Sequence, residues 1–246
     1  MIIHSVSDVH IKKEGDKAAL LFSQFLEQSK SADIIILLGD IFDLIVGGDQ
    51  AWLKRYPETF DKLSRLSSVK KIFYVEGNHD FHMKRLFENG PLEKIQHISG
   101  DLLLTDGEAR ICFSHGDDVE IDNKNYQTYK KVIQHRFVEL LASEFVPVKQ
   151  IARIGEYASA QSAKRSRRYE VNESHIKRIR EKFRESAKAY YFKQDKAFNL
   201  LMCGHSHVKD LWHSEDGFTY ANNGYFQAEK SFAVITNGKV EFREIN

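Results

Sequence analysis

Apolar positions in the first third of the chain follow two patterns, short continuous runs and repeats with helical spacing. Residues 34–38 and 72–75 are apolar throughout, which is typical of strands buried on both faces of a parallel sheet. Residues 2–6 indicate a further strand at the start of the chain. Apolar residues within 15–28 and about 50–66 recur every three to four positions, which predicts helices. Alternating strands and helices favour parallel pairing.

The pattern changes beyond residue 94. Short strands are predicted at 94–98, 101–105 and 110–114, with Asp106-Gly107 as the hairpin turn between the last two. Residues 124–193 then read as helical, because they are rich in Lys, Arg, Glu, Ala and Gln. Strands resume near the C-terminus, at 200–203, 208–213, 219–221, 232–236 and 240–244. We therefore predict an α/β core formed by residues 1–122 and 194–246, interrupted by a helical insertion at 123–193.

Positive charge is concentrated in the predicted insertion. The chain of 246 residues has a formal net charge of +1, yet residues 149–193 hold 13 Lys and Arg against 5 Asp and Glu. This stretch therefore carries +8, and the rest of the chain carries about −7. A basic helical surface of this kind suits an anionic partner, or is simply solvated.

The cysteines and the hydropathy of the chain indicate the cellular compartment in which we expect the protein. Cys112 and Cys203 each lie in an apolar run, so we expect buried free thiols and a reducing environment. The N-terminus lacks the pattern of a signal peptide, and the longest apolar run is far shorter than the ~20 residues of a membrane-spanning helix. We therefore expect a cytoplasmic protein, either soluble or lying peripherally on the inner face of the cytoplasmic membrane.

Side chains that bind metal ions follow five of the predicted strands. The segments are Asp8-Val9-His10, Gly39-Asp40-Ile41-Phe42-Asp43, Gly77-Asn78-His79-Asp80, Ser114-His115-Gly116-Asp117 and Gly204-His205-Ser206-His207. Ligands gather outside the carboxyl ends of strands in open α/β sheets, so we expect these segments to converge. The glycines beside the ligands allow sharp turns and, on this interpretation, leave room for a substrate. One such segment alone is a weak signal, whereas five in order are a strong one.

The ligand types point to two divalent ions. Carboxylate, amide and imidazole groups without a thiolate favour Mn²⁺, Fe²⁺, Zn²⁺ or Mg²⁺, and Mn²⁺ is our first expectation. A carboxylate such as Asp40 can bridge two ions at ~3.5–4 Å, the separation used for in-line displacement at phosphorus. Such a pair of ions activates a shared water and neutralises charge on the phosphoryl oxygens. The residues therefore predict a metal-dependent phosphoester hydrolase.

The ordered blocks D-x-H, G-D-x-x-D, G-N-H-D, H-G and G-H-x-H resemble the signature of the calcineurin-like metallophosphoesterases, and they span residues 8–207. The resemblance implies an α/β fold, a four-layer α/β/β/α sandwich. It also implies one ion on Asp8, His10, Asp40 and His207, and a second ion on Asp40, Asn78, His115 and His205. His79 would then assist the phosphate oxygens or the leaving group, with Asp43 orienting its imidazole.

Within that superfamily, the chain most resembles the UDP-2,3-diacylglucosamine hydrolases, which cleave the pyrophosphate of a lipid A precursor. Gly47-Gly48-Asp49 follows the second block, and a helical insertion separates His115 from His205. The stretch Asp122-Asn123-x-x-Tyr126-Gln127 is similar to that family's D-D-x-x-Y-Q, with Asn123 in place of Asp. The third block departs from the narrow family, which carries Arg where this chain has His79.

The insertion combines apolar and basic residues, which suits an acylated anionic substrate or an anionic bilayer. The apolar positions are Phe137, Val138, Leu140, Leu141, Phe145, Val146 and Val148. Among the basic positions we expect Lys164 and Arg167 to contact phosphate, together with Asp122 and Asn123 as further substrate-binding residues. The resemblance implies a lid over acyl chains. The alternative is that the apolar residues pack the insertion onto the core.

Three function classes follow. The first is hydrolysis of UDP-2,3-diacylglucosamine to UMP and the lipid monophosphate by a hydroxide shared between the ions. The second is a generic phosphodiesterase or phosphatase acting on nucleotides or phosphoproteins. The third is a binding scaffold without turnover, which the complete ligand set disfavours. Nucleic acid is suggested only by non-specific positive charge, and the oligomeric state is left open. The remaining histidines, His4 among them, are expected at surface or half-buried positions, with His82 as a candidate to line the site.

Overall fold

The computed structural model describes residues 1–88, 90–120, 146–153 and 172–246. The strands, in chain order, are β1 Ile2–Val6, β2 Ile34–Leu38, β3 Ile45–Val46, β4 Lys71–Val75, β5 Asp80–Phe81, β6 Gln96–Ile98, β7 Leu102–Asp106, β8 Ala109–Phe113, β9 Leu200–Cys203, β10 Asp210–His213, β11 Thr219–Asn222, β12 Ser231–Thr236 and β13 Lys239–Glu244. The helices are α1 Lys17–Gln28, α2 Ala51–Arg55, α3 Pro57–Ser67, α4 Lys84–Glu88, α5 Glu173–Lys193 and α6 Phe226–Glu229.

The first sheet has six strands in the order β13-β12-β1-β2-β4-β6. Strands β1, β2, β4 and β6 are parallel to one another, as the alternation of strands and helices predicts. In β2, the side chains of Ile34, Ile36 and Leu38 face one apolar core while those of Ile35 and Leu37 face another, because successive residues of a strand point to opposite sides. This is the physical reason for the unbroken apolar run.

The second sheet has five strands in the order β10-β11-β9-β8-β7. Strands β8, β9 and β11 are parallel, whereas β7 and β8 form an antiparallel hairpin. Gly107 closes that hairpin with a φ of +65°, in agreement with the predicted Asp106-Gly107 turn. The parallel arrangement brings the ends of β8 and β9 to the same edge of the sheet.

Three apolar layers separate four layers of secondary structure. Helices α1 and α3 cover the outer face of the first sheet, with Phe22, Phe25 and Phe60 among the buried contacts. The two sheets face each other across a core that includes Phe113 and Met202. Helix α5 covers the outer face of the second sheet. The predicted α/β/β/α sandwich is therefore confirmed.

Three local features differ from the sequence prediction. The helical stretch at 50–66 is divided into α2 and α3 at Tyr56, whose φ and ψ of −127° and 57° are not helical. Pro57 follows directly, and a proline disfavours helical backbone at the residue before it. Strands β3 and β5 pair in a separate two-stranded sheet and are too short to leave a periodic pattern. His4 is fully buried, whereas a surface or half-buried position was predicted.

The described parts of the predicted insertion pack against the core. Val148 and Ile151, in a helical segment at 148–153, join the apolar layer outside the first sheet. Phe183 and Tyr191 of α5 pack on the second sheet. The division at 123–193 stays a prediction, since 121–145 and 154–171 lie outside the described residues. Among the helices described, none combines the length and the apolar character needed to cross a membrane.

Candidate metal centre

The five segments with metal-binding side chains lie directly after β1, β2, β4, β8 and β9. Because the first three strands are parallel in one sheet and the last two are parallel in the other, their carboxyl ends meet at one edge of the sandwich. The convergence that the sequence predicts is therefore present in the fold.

The backbone at these strand ends is strained. Five residues have φ between 53° and 65°, the left-handed region that residues other than glycine rarely adopt: Asp8, His10, Asp40, His205 and His207. Each such residue costs roughly 1–3 kcal/mol and persists only where the surroundings enforce it. Strain at five of the seven predicted ligands, in neighbouring segments, is typical of a functional site.

One group of ligand atoms is formed by the first, second and fifth segments. His10 Nε2 lies 3.3 Å from His207 Nε2 and 3.8 Å from Asp40 Oδ2. His207 Nε2 lies 3.3 Å from Asp8 Oδ1. The backbone N–H of His10 donates to the Asp40 carbonyl at 3.0 Å, which joins the two strand ends. These four side chains are the predicted ligands of the first ion, and the structure brings them together.

A second group lies on the other side of Asp40. His115 Nε2 lies 3.1 Å from Asn78 Oδ1 and 3.5 Å from Asp40 Oδ1, and His205 Nδ1 lies 2.7 Å from Asn78 Oδ1. His115 Nδ1 donates to the carbonyl of Leu38 at 2.9 Å, which leaves its Nε2 as the nitrogen that faces Asn78 and Asp40. The four predicted ligands of the second ion are therefore also adjacent, and Asp40 is common to both groups.

The two carboxylates of the site are ionised. Burial raises the pKa of Asp40, but the His115 and His79 charges outweigh it and hold that pKa well below its ordinary value. Burial alone would raise the pKa of Asp8, but the contact with His207 outweighs burial, so this pKa lies below its ordinary value. Burial lowers the pKa of His10 to about 3, so this imidazole is neutral. The nearby carboxylates outweigh burial and raise the pKa of His115 and of His207 above the ordinary value, so these two imidazoles would release protons when a divalent ion binds.

The glycines of the motifs make room for neighbouring ligands. A side-chain carbon on Gly39 would lie 2.6 Å from His115 Nδ1, and one on Gly77 would collide with Asp40 Oδ1. One on Gly204 would collide with the carboxylate of Asp8. The sequence prediction gave the freed space to the substrate, whereas in the structure it is filled by the ligands themselves.

His79 lies beside the first group of ligands. Its ring is 4.9 Å from that of His10, and its backbone N–H donates to Asp40 Oδ1 at 2.8 Å. Its Nδ1 donates to the main-chain carbonyl of Asp43 at 2.7 Å. The tautomer is thus set by this carbonyl, leaving Nε2 as the atom that gains or loses a proton. The role predicted for the Asp43 carboxylate stays a prediction.

Asp80 is a residue of the site to which the sequence analysis gave no role. Its buried carboxylate accepts hydrogen bonds from the backbone N–H groups of Asp40, Ile41 and Gly77 at 2.9, 2.7 and 2.9 Å. The hydroxyl of Tyr74 donates to the same carboxylate at 2.5 Å. Asp80 thereby fixes the loops that carry Asp40 and Asn78. Its place at the end of the G-N-H-D block is the signal that could have identified it.

Glu120 is a second residue without a predicted role. Its carboxylate lies 3.5 Å from His205 Nε2 and also contacts Lys182 of α5. The contacts with His205 and Lys182 outweigh burial and lower the pKa of Glu120 to about 2. It follows His115 by five positions, and the sequence pattern gives no sign that it reaches the site.

The four predicted substrate-binding residues, Asp122, Asn123, Lys164 and Arg167, lie outside the described residues. Basic side chains of α5, in contrast, are described, and several pair with acids of the core. Arg184 forms a two-pronged contact with Asp210 at 2.6 and 2.7 Å, and Lys188 lies 2.6 Å from Asp216. Much of the charge of this helix is therefore used in attaching it to the second sheet.

The donor set fits divalent metal ions. Three groups of His and Asp side chains, each with ligand atoms within 4.8 Å of one another, can hold an ion: Asp8, His10 and His207; His10, Asp40 and His79; and Asp8, Asp40 and His115. Oxygen and nitrogen donor atoms from several strand ends lie this close together and are largely buried. Such an arrangement is suited to coordinating a cation, whose charge stabilises the neighbouring donor atoms.

The chain is similar to known proteins over most of its length. The profile of the family described as calcineurin-like phosphoesterase matches residues 1–209. A UDP-2,3-diacylglucosamine hydrolase of Histophilus somni (strain 129Pt) is 26% identical, over 96% of this chain and 97% of its own. Proteins of the same name from Haemophilus influenzae (strain PittGG) and Neisseria meningitidis (strain Z2491) are 26% and 27% identical, each over 87% of this chain and over 86% and 85% of their own lengths.

Among solved structures, an archaeal phosphodiesterase aligns with all of this chain and 99% of its own, at a TM-score of 0.47 and 14% identity. The family profile covers all five motif segments, and those segments form the cluster described above. Because the profile matches residues 1–209, the chain belongs to the calcineurin-like phosphoesterase family.

Proposed function

We propose that this protein is a two-metal hydrolase that adds water across the pyrophosphate of UDP-2,3-diacylglucosamine, releasing UMP and 2,3-diacylglucosamine 1-phosphate. The observation that carries the reaction type is the convergence of two ligand groups on Asp40, whose two oxygens face His115 and His10. The substrate is supported by the name of the relatives that match 87–96% of the chain.

In this proposal Asp8, His10, Asp40 and His207 hold one divalent ion, and Asp40, Asn78, His115 and His205 hold the other. Mn²⁺ is the proposed metal. Fe²⁺, Zn²⁺ and Mg²⁺ are the alternatives, because they also bind carboxylate, amide and imidazole ligands. When bound, the ions activate water and neutralise charge on the phosphoryl oxygens. The buried, hydrogen-bonded strand ends keep the ligands in place before substrate arrives.

His79 is proposed to act on the leaving group. Since its Nδ1 donates to the Asp43 carbonyl, proton transfer takes place at Nε2, the other nitrogen of a ring that lies 4.9 Å from that of His10. The leaving group of a pyrophosphate is itself a phosphate, and it departs more readily when its oxygen is protonated or hydrogen-bonded. A histidine at this position supplies that proton, which the Arg of the narrow family cannot do.

Recognition of the lipid portion is proposed for the insertion. The acyl chains need an apolar surface and the phosphates need cations, and residues 121–145 and 154–171 contain both kinds of side chain. Lys164, Arg167, Asp122 and Asn123 are our candidates there. Peripheral contact with an anionic membrane would follow from the same composition, because the substrate is itself a lipid.

Product analysis tests the proposal. Mn²⁺-loaded protein is incubated in detergent with UDP-2,3-diacylglucosamine, and in parallel with bis(p-nitrophenyl) phosphate, a soluble dinucleotide and a phosphopeptide. We expect UMP from the lipid substrate and much slower hydrolysis of the others. Asp40→Asn removes the shared ligand charge and should abolish release, whereas Asp216→Asn, at an exposed ion pair, should not change it.

The panel separates the two enzyme hypotheses. Rapid hydrolysis of dinucleotide or phosphopeptide without UMP from the lipid would contradict the substrate and favour a generic phosphodiesterase or phosphatase. The observation that supports the generic phosphodiesterase or phosphatase is His79, because the wider superfamily has His at this position and the narrow family has Arg. Absence of hydrolysis for every substrate would contradict both and favour a binding protein.

A further inference from the structure

The imidazole of His205 is held between an amide and a carboxylate. Its Nδ1 lies 2.7 Å from Asn78 Oδ1, on the side of the second ligand group. Its Nε2 lies on the opposite side of the ring, 3.5 Å from Glu120 Oε2. The two nitrogens of this ring therefore have different partners, one at the ligand group and one at Glu120.

Glu120 is positioned by both the core and α5. It is 9% exposed, and its backbone N–H donates to the carbonyl of Gly116 at 3.3 Å, within the turn that follows His115. Its other carboxylate oxygen contacts Lys182 Nζ. The neighbouring Phe183 is buried, with its ring 6.2 Å from that of His205. Helix α5 thus packs directly beside this imidazole and its carboxylate partner.

A neutral imidazole carries one proton, and the partner of one nitrogen decides which nitrogen is free to bind a metal. A carboxylate that accepts Nε2–H favours the form in which Nδ1 has the lone pair, and it also raises the basicity of the ring. In His205 that lone pair points toward Asn78 and the second ligand group. Lys182 contacts the other oxygen of the same carboxylate.

We propose that Glu120 is a positioning residue for the second metal ion: it accepts the Nε2–H of His205 and thereby presents Nδ1 as the ligand atom. Lys182 supports Glu120 from α5 and does not touch the ligand. This inference rests on the proposed two-metal function. It assigns to Glu120, which lies outside the motif segments, a role in the affinity for one of the two ions.

A second ion pair on the same helix provides a matched control. Lys188 lies 2.6 Å from Asp216, in a pair that also ties α5 to the second sheet. Asp216 bonds to Lys188 and Ser214, away from the described metal ligands. Removing either pair weakens attachment of the helix, but only the pair at Glu120 reaches an imidazole of the site.

The test is a titration of the metal-depleted full-length protein with Mn²⁺ by calorimetry. The wild type should bind two ions. Glu120→Ala should weaken binding of one ion by roughly 10–100-fold and leave the other unchanged. Glu120→Gln should recover most of that loss, because its amide oxygen still accepts from Nε2–H. Lys182→Met and Asp216→Asn should each change the affinity by less than about threefold. Melting temperatures of the metal-free proteins establish that each variant is folded.

The inference is overturned if Glu120→Ala binds both ions as the wild type does. It is also overturned if Lys182→Met or Asp216→Asn weakens binding as much as Glu120→Ala, since that outcome assigns the effect to attachment of α5. Equal losses for Glu120→Gln and Glu120→Ala would make the carboxylate a direct ligand and contradict the positioning role. A wild type that binds fewer than two ions would instead contradict the two-metal function on which the inference rests.

Discussion

The backbone N–H of Asp40 donates to Asp80 Oδ1 at 2.9 Å, joining two residues that are forty positions apart in the chain. The same carboxylate accepts from the N–H of Gly77 and from the hydroxyl of Tyr74. One buried side chain therefore ties the loop of the shared ligand to the loop of Asn78. The geometry of the centre depends on this residue, although it is not itself one of the predicted ligands.

We expect Asp80→Asn to destabilise the fold by about 2–3 kcal/mol, because the amide has one acceptor oxygen for several buried donors. Tyr74→Phe, which removes one donor, should cost about 1 kcal/mol. Urea unfolding of the metal-free proteins measures both. Asp106→Asn is the control, since that buried carboxylate pairs with the N-terminal amine. Equal stability of the Asp80 and Asp106 variants would contradict the assigned role.

His79→Ala should lower turnover by roughly 10²–10⁴ while metal content is retained. The substitution removes the imidazole but keeps the backbone N–H that donates to Asp40, so the ligand groups should persist. Single-turnover rates and metal analysis on the same samples check the two halves of this prediction. His213→Ala, at an exposed histidine that contacts Thr219, should behave as the wild type. Unchanged turnover for His79→Ala would remove the residue from the mechanism.

Gly77→Ala should impair metal binding, because its added methyl group collides with the Asp40 carboxylate. We expect the affinity for Mn²⁺ to fall by at least about tenfold, in line with displacement of a ligand. Gly100→Ala is the matched control, since nothing lies within 4 Å of the added carbon there. Wild-type Mn²⁺ binding by the Gly77 variant would show that the shared carboxylate does not need this space.

Stability should fall at acid pH through His4. Burial, assisted by Arg243 and Lys70, lowers the pKa of His4 to about 4 from an ordinary 6.5. Between these values the unfolded chain binds more protons than the folded chain, so stability is present above pH 6.5 and is lost as the pH falls toward 4. At ~1.4 kcal/mol per pKa unit, the loss is on the order of 2–3 kcal/mol.

His4→Leu removes this titration and should therefore lose less stability than the wild type between pH 7 and pH 4.5. Urea unfolding at the two pH values gives the difference, and contributions from other groups are shared by both proteins. Parallel losses in the two proteins would show that His4 does not titrate on unfolding.

The sequence identified the strands that precede the five motif segments, and it identified the ligand types, because both leave local signals. Buried strands are apolar without interruption, and each of the five ligand segments follows such a strand directly. Parallel pairing then determines that the carboxyl ends meet. For that reason the residues around Asp40 could be predicted to converge, whereas their division into two sets came from the family resemblance; the structure places the two sets side by side.

The residues that support the ligands were not identified, because their roles depend on long-range contacts. Asp80 acts on a loop forty residues earlier, and Glu120 meets Lys182 from a helix 62 residues later. Neither contact leaves a periodic or compositional pattern; the place of Asp80 at the end of the G-N-H-D block marks the residue but does not show which loop it binds. The glycines were assigned to substrate space for the same reason, since only the fold shows that His115 and Asp40 fill the space beside them.

The most direct test of the central claim is electron paramagnetic resonance of the full-length protein loaded with Mn²⁺. The account predicts two bound ions per chain with the multiline spectrum of a spin-coupled pair, since both ligand groups include Asp40. Asp40→Ala should lose both the coupling and bound metal. Two uncoupled Mn²⁺ signals, or fewer than one tightly held ion per chain, would contradict a shared two-metal centre.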